Sequence, residues 1–161
     1  MNLSLFQIFA FVLAGLSVGG TFVPRFPSAV AAYAAMVCMY FAGVPYFDSG
    51  ILIFWAVATI IVLGLMFLQP KALTGAWQGH GYVAGGTILG VVLGYLVAPA
   101  ASAIILGGAV GAFLGTLAFM RTPRGPRFPI ASSEFLQYLC AKGLPCVVAS
   151  SMAALTIASA L

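Results

Sequence analysis

Charged side chains are almost absent from this sequence. Only 5% of its 161 residues are Asp, Glu, Lys or Arg, whereas 63% are hydrophobic and the mean hydropathy is +1.18. A soluble domain carries about 25% charged residues because its surface faces water. Six basic and two acidic side chains cannot cover such a surface. The composition therefore excludes an ordinary soluble domain and indicates a chain surrounded mainly by lipid.

The residue patterns of metal sites and active sites are also missing. The three cysteines, Cys38, Cys140 and Cys146, are odd in number and show no C-x-x-C spacing. No pair of carboxylates, Ser-His-Asp arrangement or G-x-S-x-G turn can be assembled from the sequence. The cysteines are interpreted as small apolar packing residues. The sequence predicts no enzyme, no metal site and no cofactor.

Long apolar segments are abundant. A helix needs about 20 apolar residues, with a usual range of roughly 17 to 25, to cross the hydrocarbon core of a bilayer. Six segments meet or approach this length: 3–23, 28–44, 51–69, 82–98, 101–120 and 145–161. The predicted fold class is all-α, a polytopic transmembrane helical bundle of about six spans that forms one integral-membrane domain over residues 1–161.

Proline and capping residues mark the breaks between these segments. A Pro-Arg-Phe-Pro sequence over 24–27 separates the first two segments, and Asp48 or Ser49 is expected to cap the third helix. Pro99 separates the fourth and fifth segments so closely that the two helices must form an antiparallel hairpin.

Positive charge is distributed unevenly between the two sides of the predicted bundle. The loops after the first, third and fifth segments contain all five basic loop residues, and the loops after the second and fourth contain none. The five are Arg25, Lys71, Arg121, Arg124 and Arg127. Because cytoplasmic loops carry an excess of Lys and Arg, these loops are predicted to be cytoplasmic. Both termini are then predicted to lie outside the cytoplasm.

The region before the last segment allows two interpretations. Under the preferred one, Ser132 or Ser133 caps a short amphipathic helix over 134–142, Gly143 ends it and Pro145 begins the next helix. One face of the short helix would contact lipid through Phe135, Leu136, Leu139 and Cys140. The opposite face would contact water or headgroups through Glu134, Gln137, Tyr138 and Lys142.

The alternative is one long helix from residue 134 onward. Lys142 would then lie within or near the hydrocarbon, which costs about 2.5 to 3.5 kcal/mol at a central position. Glu134 and Lys142 are eight residues apart and would share nearly the same face, so they could line a polar cavity.

Glycine recurs at every fourth position in two series, within 85–115. The first series is Gly86, Gly90 and Gly94, and the second is Gly107, Gly111 and Gly115. Residues four apart share a helix face, and small residues let helix backbones approach closely in membranes. The preferred interpretation is packing of the two grooves within one chain. The alternatives are a homo-oligomer built on one groove, and a groove open to a lipid tail or small solute.

Four more glycines extend the small-residue spacing into the preceding loop. They are Gly75, Gly79, Gly81 and Gly85. The spacing indicates close packing or bending of the chain in that region.

Two parts of the sequence resemble a known family. The stretch GGTFVPRFPSAVAAYAAM and the glycine-rich hairpin from Gly75 to Gly115 are similar to the small bacterial membrane proteins called domain of unknown function four-five-six. The resemblance covers most of residues 10–120. Members often end the second glycine run with an acidic residue, whereas Thr116 follows Gly115 here. The resemblance implies a glycine-rich bundle in a bacterial inner membrane and implies no chemistry.

The remaining polar residues suggest contact with lipid headgroups. The loop RTPRGPRFP contains Arg121, Arg124 and Arg127, and each basic residue near an anionic surface contributes about 1 kcal/mol to membrane binding. Lys142 joins this group under the preferred topology. Nucleic-acid binding would need a larger basic surface on a soluble module. Membrane lipids are therefore the predicted partners.

His80 and Glu134 are the other candidate polar residues. Together with Trp77 and Tyr82, His80 is predicted to anchor the chain at the membrane interface. Proton sensing is the alternative, because an imidazole titrates near neutral pH. The leading functional hypothesis is a structural or interaction protein organised by glycine packing, with anionic lipid contact. The alternative is a small transporter or channel for an unidentified solute.

Overall fold

The chain is all-helical, as predicted, throughout the residues that the computed structural model describes, which are 5–23, 26–68, 79–123, 130 and 132–159. It forms six helices there: α1 (Leu5–Gly20), α2 (Ser28–Phe41), α3 (Ser49–Leu68), α4 (His80–Val97), α5 (Ala101–Met120) and α6 (Ser133–Ala158). The predictions for Arg25, Lys71, Gly75, Trp77, Arg124 and Arg127 lie outside the described residues.

Four of the described helices, α3 to α6, are long and apolar enough to cross a membrane. The other two are shorter, with 16 residues in α1 and 14 in α2. α2 ends before its apolar segment does because Gly43 adopts a left-handed conformation with φ +75°. The amides of Gly43 and Val44 then bond to the carbonyls of Tyr40 and Met39, at 3.0 and 3.3 Å. This pattern closes a helix end.

α6 lies at the centre of the bundle and contacts all five other helices. Its central residues Ala149, Met152 and Ala153 are completely buried. The most extensive helix contact joins α4 to α5, and the next joins α1 to α2. α3 lies at the edge, where it packs mainly against α2 and α6. Small residues on α6 permit this arrangement because they let several neighbours approach one helix closely.

Two predicted local features are confirmed. The carboxylate of Asp48 accepts a hydrogen bond of 2.8 Å from the amide of Ile51 and so caps α3. Residues 98–100 connect α4 to α5, as expected for a tight antiparallel hairpin at Pro99.

The predicted break at Gly143 is wrong. A π-helical turn over Leu139–Gly143 joins the two parts of α6, and Gly143 keeps ordinary helical angles. The amide of Leu144 bonds to the carbonyl of Leu139, five residues earlier. This wider turn comes directly before Pro145, which has no amide hydrogen to donate. The helix therefore continues through the proline instead of ending before it.

The start of α6 also packs differently from the predicted amphipathic helix. Phe135, expected to contact lipid, is buried against Phe113 with ring centroids 5.6 Å apart. Tyr138, expected to face water, is buried and stacks on Phe119 at 6.3 Å. Both side chains turn inward because this part of α6 lies against α5. The predicted cap is confirmed, since the Ser132 hydroxyl accepts a 3.2 Å hydrogen bond from the Phe135 amide.

Candidate functional site

Four glycines form the centre of the α4–α5 contact in two reciprocal pairs. A Cβ added to Gly86 would collide with the carbonyl oxygen of Gly111, and a Cβ on Gly111 would collide with that of Gly86. Gly90 and Gly107 have the same reciprocal relation. The atoms in the way belong to the backbone, so no side-chain movement could make room. Such close approach permits weak Cα–H···O contacts between helices.

The same antiparallel register continues at both ends of this contact. A Cβ on Gly94 would collide with the carbonyl oxygen of Ala103, and one on Gly115 would collide with that of Tyr82. All six glycines of the two series therefore face the backbone of the opposite helix. The surface that they share is filled within one chain, which leaves no space on it for a lipid tail or a second copy.

The glycines near the start of α4 fall into two groups. Gly81 and Gly85 face open space, since nothing lies within 4 Å of an added Cβ at either position. Gly79 is buried in a left-handed conformation with φ +88°. A Cβ there would collide with the Phe119 ring and lie 2.5 Å from the Tyr138 hydroxyl. The close packing and chain bending expected in this region are therefore both found at Gly79. Neither is found at Gly81 or Gly85.

The start of α4 and the π-helical turn of α6 place two basic residues in the same region of the bundle, around Tyr138. His80 hydrogen-bonds to the backbone of Thr21, just after α1, and lies within electrostatic reach of Lys142. The Lys142 ammonium lies 5.3 Å above the Tyr138 ring, a distance at which a cation is attracted to the aromatic face. We call His80, Lys142 and Tyr138 the basic cluster.

A chain of aromatic rings connects the basic cluster to the glycine contact. Tyr138 stacks on Phe119, and Phe119 lies 5.9 Å from the ring of Tyr82. The backbone of Tyr82 is also the neighbour of Gly115. Aromatic side chains of this kind are enriched where a membrane protein meets the headgroups.

The other predicted polar residues lie at different places. Arg121 is exposed at the C-terminal end of α5, two residues beyond Phe119, and so lies at the same end of the bundle as the basic cluster. Glu134 is exposed in the first turn of α6. The proximity of His80 and Lys142 was not predictable from their spacing of 62 positions in the sequence. The signal that the sequence did offer for this site was Lys142, a charged residue next to an apolar segment.

The cysteines and acidic residues form no metal site within the described part of the chain. All three cysteines are free; Cys146 is buried, Cys38 is half-buried and Cys140 is exposed. No group of three or more His, Cys, Asp or Glu side chains in the described residues could hold a metal ion.

The chain matches no family model, no curated protein and no solved structure. The family resemblance therefore rests on the quoted sequence stretches alone, and the geometry of the described residues has to support any functional proposal.

Proposed function

We propose that this protein is a small bacterial inner-membrane protein with a structural or interaction role, and that its basic cluster binds anionic lipid headgroups. The observation that supports this proposal is the position of the Lys142 ammonium over the Tyr138 ring, beside the start of α4, at the end of the bundle that also carries Arg121. A phosphate group suits such a site because the lysine ammonium donates charge-assisted hydrogen bonds to its oxygens.

The surroundings of the cluster favour a headgroup over a free solute anion. Tyr82, exposed at the start of α4, contacts the buried Phe119 ring, which stacks on the Tyr138 ring beneath Lys142. A lipid can place its phosphate beside Lys142 and its glycerol and upper chain along exposed apolar residues. The packed glycine contact holds α4 against α5, so the polar groups keep a fixed relative position.

Anionic lipid retention tests this proposal directly. For the intact protein released from nanodiscs, native mass spectrometry is expected to show retained phosphatidylglycerol in preference to phosphatidylcholine. Lys142→Gln removes the charge and should reduce retention roughly fivefold, since one basic residue contributes about 1 kcal/mol. The matched control is Glu134→Gln, which removes a charge from the same helix and should leave retention equal or higher. Unchanged retention in Lys142→Gln would contradict the proposal.

We also propose that the basic end of the bundle faces the cytoplasm and that both termini lie outside it. The support is the charge bias, because the predicted cytoplasmic loops contain five basic residues and the opposite loops contain none.

A pair of exposed prolines gives a matched test of this orientation. In a cysteine-free background, Pro123→Cys should be labelled only after the membrane is made permeable to a polar maleimide. Pro45→Cys, exposed in the turn after α2, should be labelled in intact cells. The reverse pattern would place the basic end outside the cytoplasm.

A further inference from the structure

A half-open cavity of about 270 Å³ lies at the opposite end of the bundle from the basic cluster, with Tyr46, Pro99 and Ala100 exposed at its rim. Three elements that are distant in sequence form it. Tyr46 comes from the loop between α2 and α3, Pro99 from the turn between α4 and α5, and Ser159 from the residue after α6. The cavity therefore exists only because α6 brings its end between the α2–α3 loop and the α4–α5 hairpin.

The wall of the cavity is mostly apolar, and three of its lining residues carry a hydroxyl group. Ile104 and Leu155 are buried residues whose side chains contribute to the apolar part. The hydroxyls belong to Tyr46, Tyr95 and Ser159. The Ser159 hydroxyl donates to the Thr156 carbonyl at 3.0 Å, so its oxygen can still accept a hydrogen bond. Among the described residues that line the cavity, none has a carboxylate, ammonium, guanidinium or imidazole group.

We propose that this cavity binds a small, neutral, mostly apolar molecule with one hydroxyl or carbonyl end. An ionised ligand is disfavoured because an unpaired charge is costly to bury among such groups. Each water molecule occupies roughly 30 Å³ in the liquid. The space therefore corresponds to about nine water molecules, or to a ligand of about nine non-hydrogen atoms. The two tyrosine hydroxyls can donate to or accept from the polar end, while Ile104 and Leu155 contact the apolar body. This assignment is independent of lipid binding at the basic cluster.

A photoreactive diazirine derivative of octanol is a suitable probe, because it is neutral, apolar and close to the expected size. With the wild-type protein in nanodiscs, illumination is expected to label Tyr46 and Tyr95, and excess unlabelled 1-octanol should suppress this labelling. Peptide mass spectrometry locates the adducts. Labelling that is spread over the lipid-facing residues, or that unlabelled octanol does not suppress, would overturn the proposal.

Two cavity variants and one control variant make the test specific to the cavity. Ala158→Phe fills space in the cavity wall and should reduce labelling of the tyrosines at least about tenfold, which corresponds to 1.4 kcal/mol. The control is Ala109→Phe, an equal change at an exposed position of α5, which should have no effect. Tyr95→Phe removes one hydroxyl and should reduce labelling about fivefold through the lost hydrogen bond.

The competing occupant is the end of a lipid acyl chain. A phospholipid with a diazirine at its chain terminus distinguishes the two. If this lipid labels Tyr46 and Tyr95 and octanol does not compete, lipid acyl chains occupy the cavity and the proposal is wrong. If it labels only lipid-facing residues of α4 and α5, the small-molecule assignment is supported.

Discussion

Replacing Gly90 with leucine is expected to disrupt the α4–α5 hairpin, whereas the same change at Gly85 should leave it intact. A Cβ at Gly90 would collide with the carbonyl oxygen of Gly107 and lie 2.9 Å from the Cα of Gly111. Because these are backbone atoms, the two helices would have to separate. Nothing lies within 4 Å of an added Cβ at Gly85.

The expected difference between the two variants is large. Overpacking alone costs about 1 to 3 kcal/mol, and each lost Cα–H···O contact adds about 0.5 to 1 kcal/mol. Gly90→Leu should therefore lower the free energy of unfolding by about 4 kcal/mol. Gly85→Leu should raise it slightly, because leucine is favoured over glycine in a helix by about 0.8 to 1 kcal/mol.

Thermal aggregation in detergent, monitored as the fraction of protein that stays monodisperse after heating, ranks the stabilities of these variants. Gly111→Leu should behave like Gly90→Leu, because Gly111 has the reciprocal position on α5. Leu93→Ala and Leu114→Ala are further controls, since these leucines are 62% and 56% exposed and should tolerate truncation. Midpoints for Gly90→Leu equal to those for Gly85→Leu would contradict the role assigned to backbone contact.

The glycine contact could be predicted from the sequence because its cause is local. Gly86, Gly90 and Gly94 share a face by helical periodicity, and Pro99 fixes the second helix beside the first. Helical periodicity and the tight turn at Pro99, both local in sequence, thus nearly determine how α4 pairs with α5. The pairing at the two ends of the contact was harder to predict. There Gly94 faces Ala103 and Gly115 faces Tyr82, whereas a continued glycine series would have had glycine at positions 103 and 82.

The course of α6 could not be predicted in the same way. Gly143 and Pro145 are ordinary signs of a helix end and a helix start, and the expectation of a break followed from them. The π-helical turn keeps the helix continuous, and just before it Phe135 and Tyr138 pack against α5. Such tertiary contacts have no signature in the local sequence, so the inward orientation of Tyr138 and the partner of Lys142 were missed.

The glycine contact and the basic cluster are structurally coupled through the start of α4. Gly115 packs on the backbone of Tyr82, and the Tyr82 ring lies against Phe119. Phe119 in turn stacks on Tyr138, above which the Lys142 ammonium is held. A displacement of α4 should therefore move His80 away from Lys142. Variants that open the hairpin are expected to lose anionic lipid retention together with stability.

Gly79→Ala probes this coupling at the start of α4 and should destabilise the protein far more than Gly43→Ala. Both glycines have left-handed backbones, with φ +88° at Gly79 and +75° at Gly43, a conformation that costs an L residue about 1 to 2 kcal/mol. Gly43 has open space around its missing Cβ, whereas Gly79 faces the Phe119 ring and the Tyr138 hydroxyl. Overpacking adds about 1 to 3 kcal/mol at Gly79 alone.

The comparison therefore separates backbone strain from packing. Unfolding free energies should fall by about 3 kcal/mol for Gly79→Ala and by about 1 kcal/mol for Gly43→Ala. Phosphatidylglycerol retention, measured below the unfolding temperature of each variant, should fall only for Gly79→Ala, because the added methyl group displaces Tyr138 from its place beneath Lys142. Equal destabilisation by the two changes would mean that Phe119 and Tyr138 move aside freely. In that case the aromatic rings would not fix the position of the basic cluster, and lipid retention should survive in both variants.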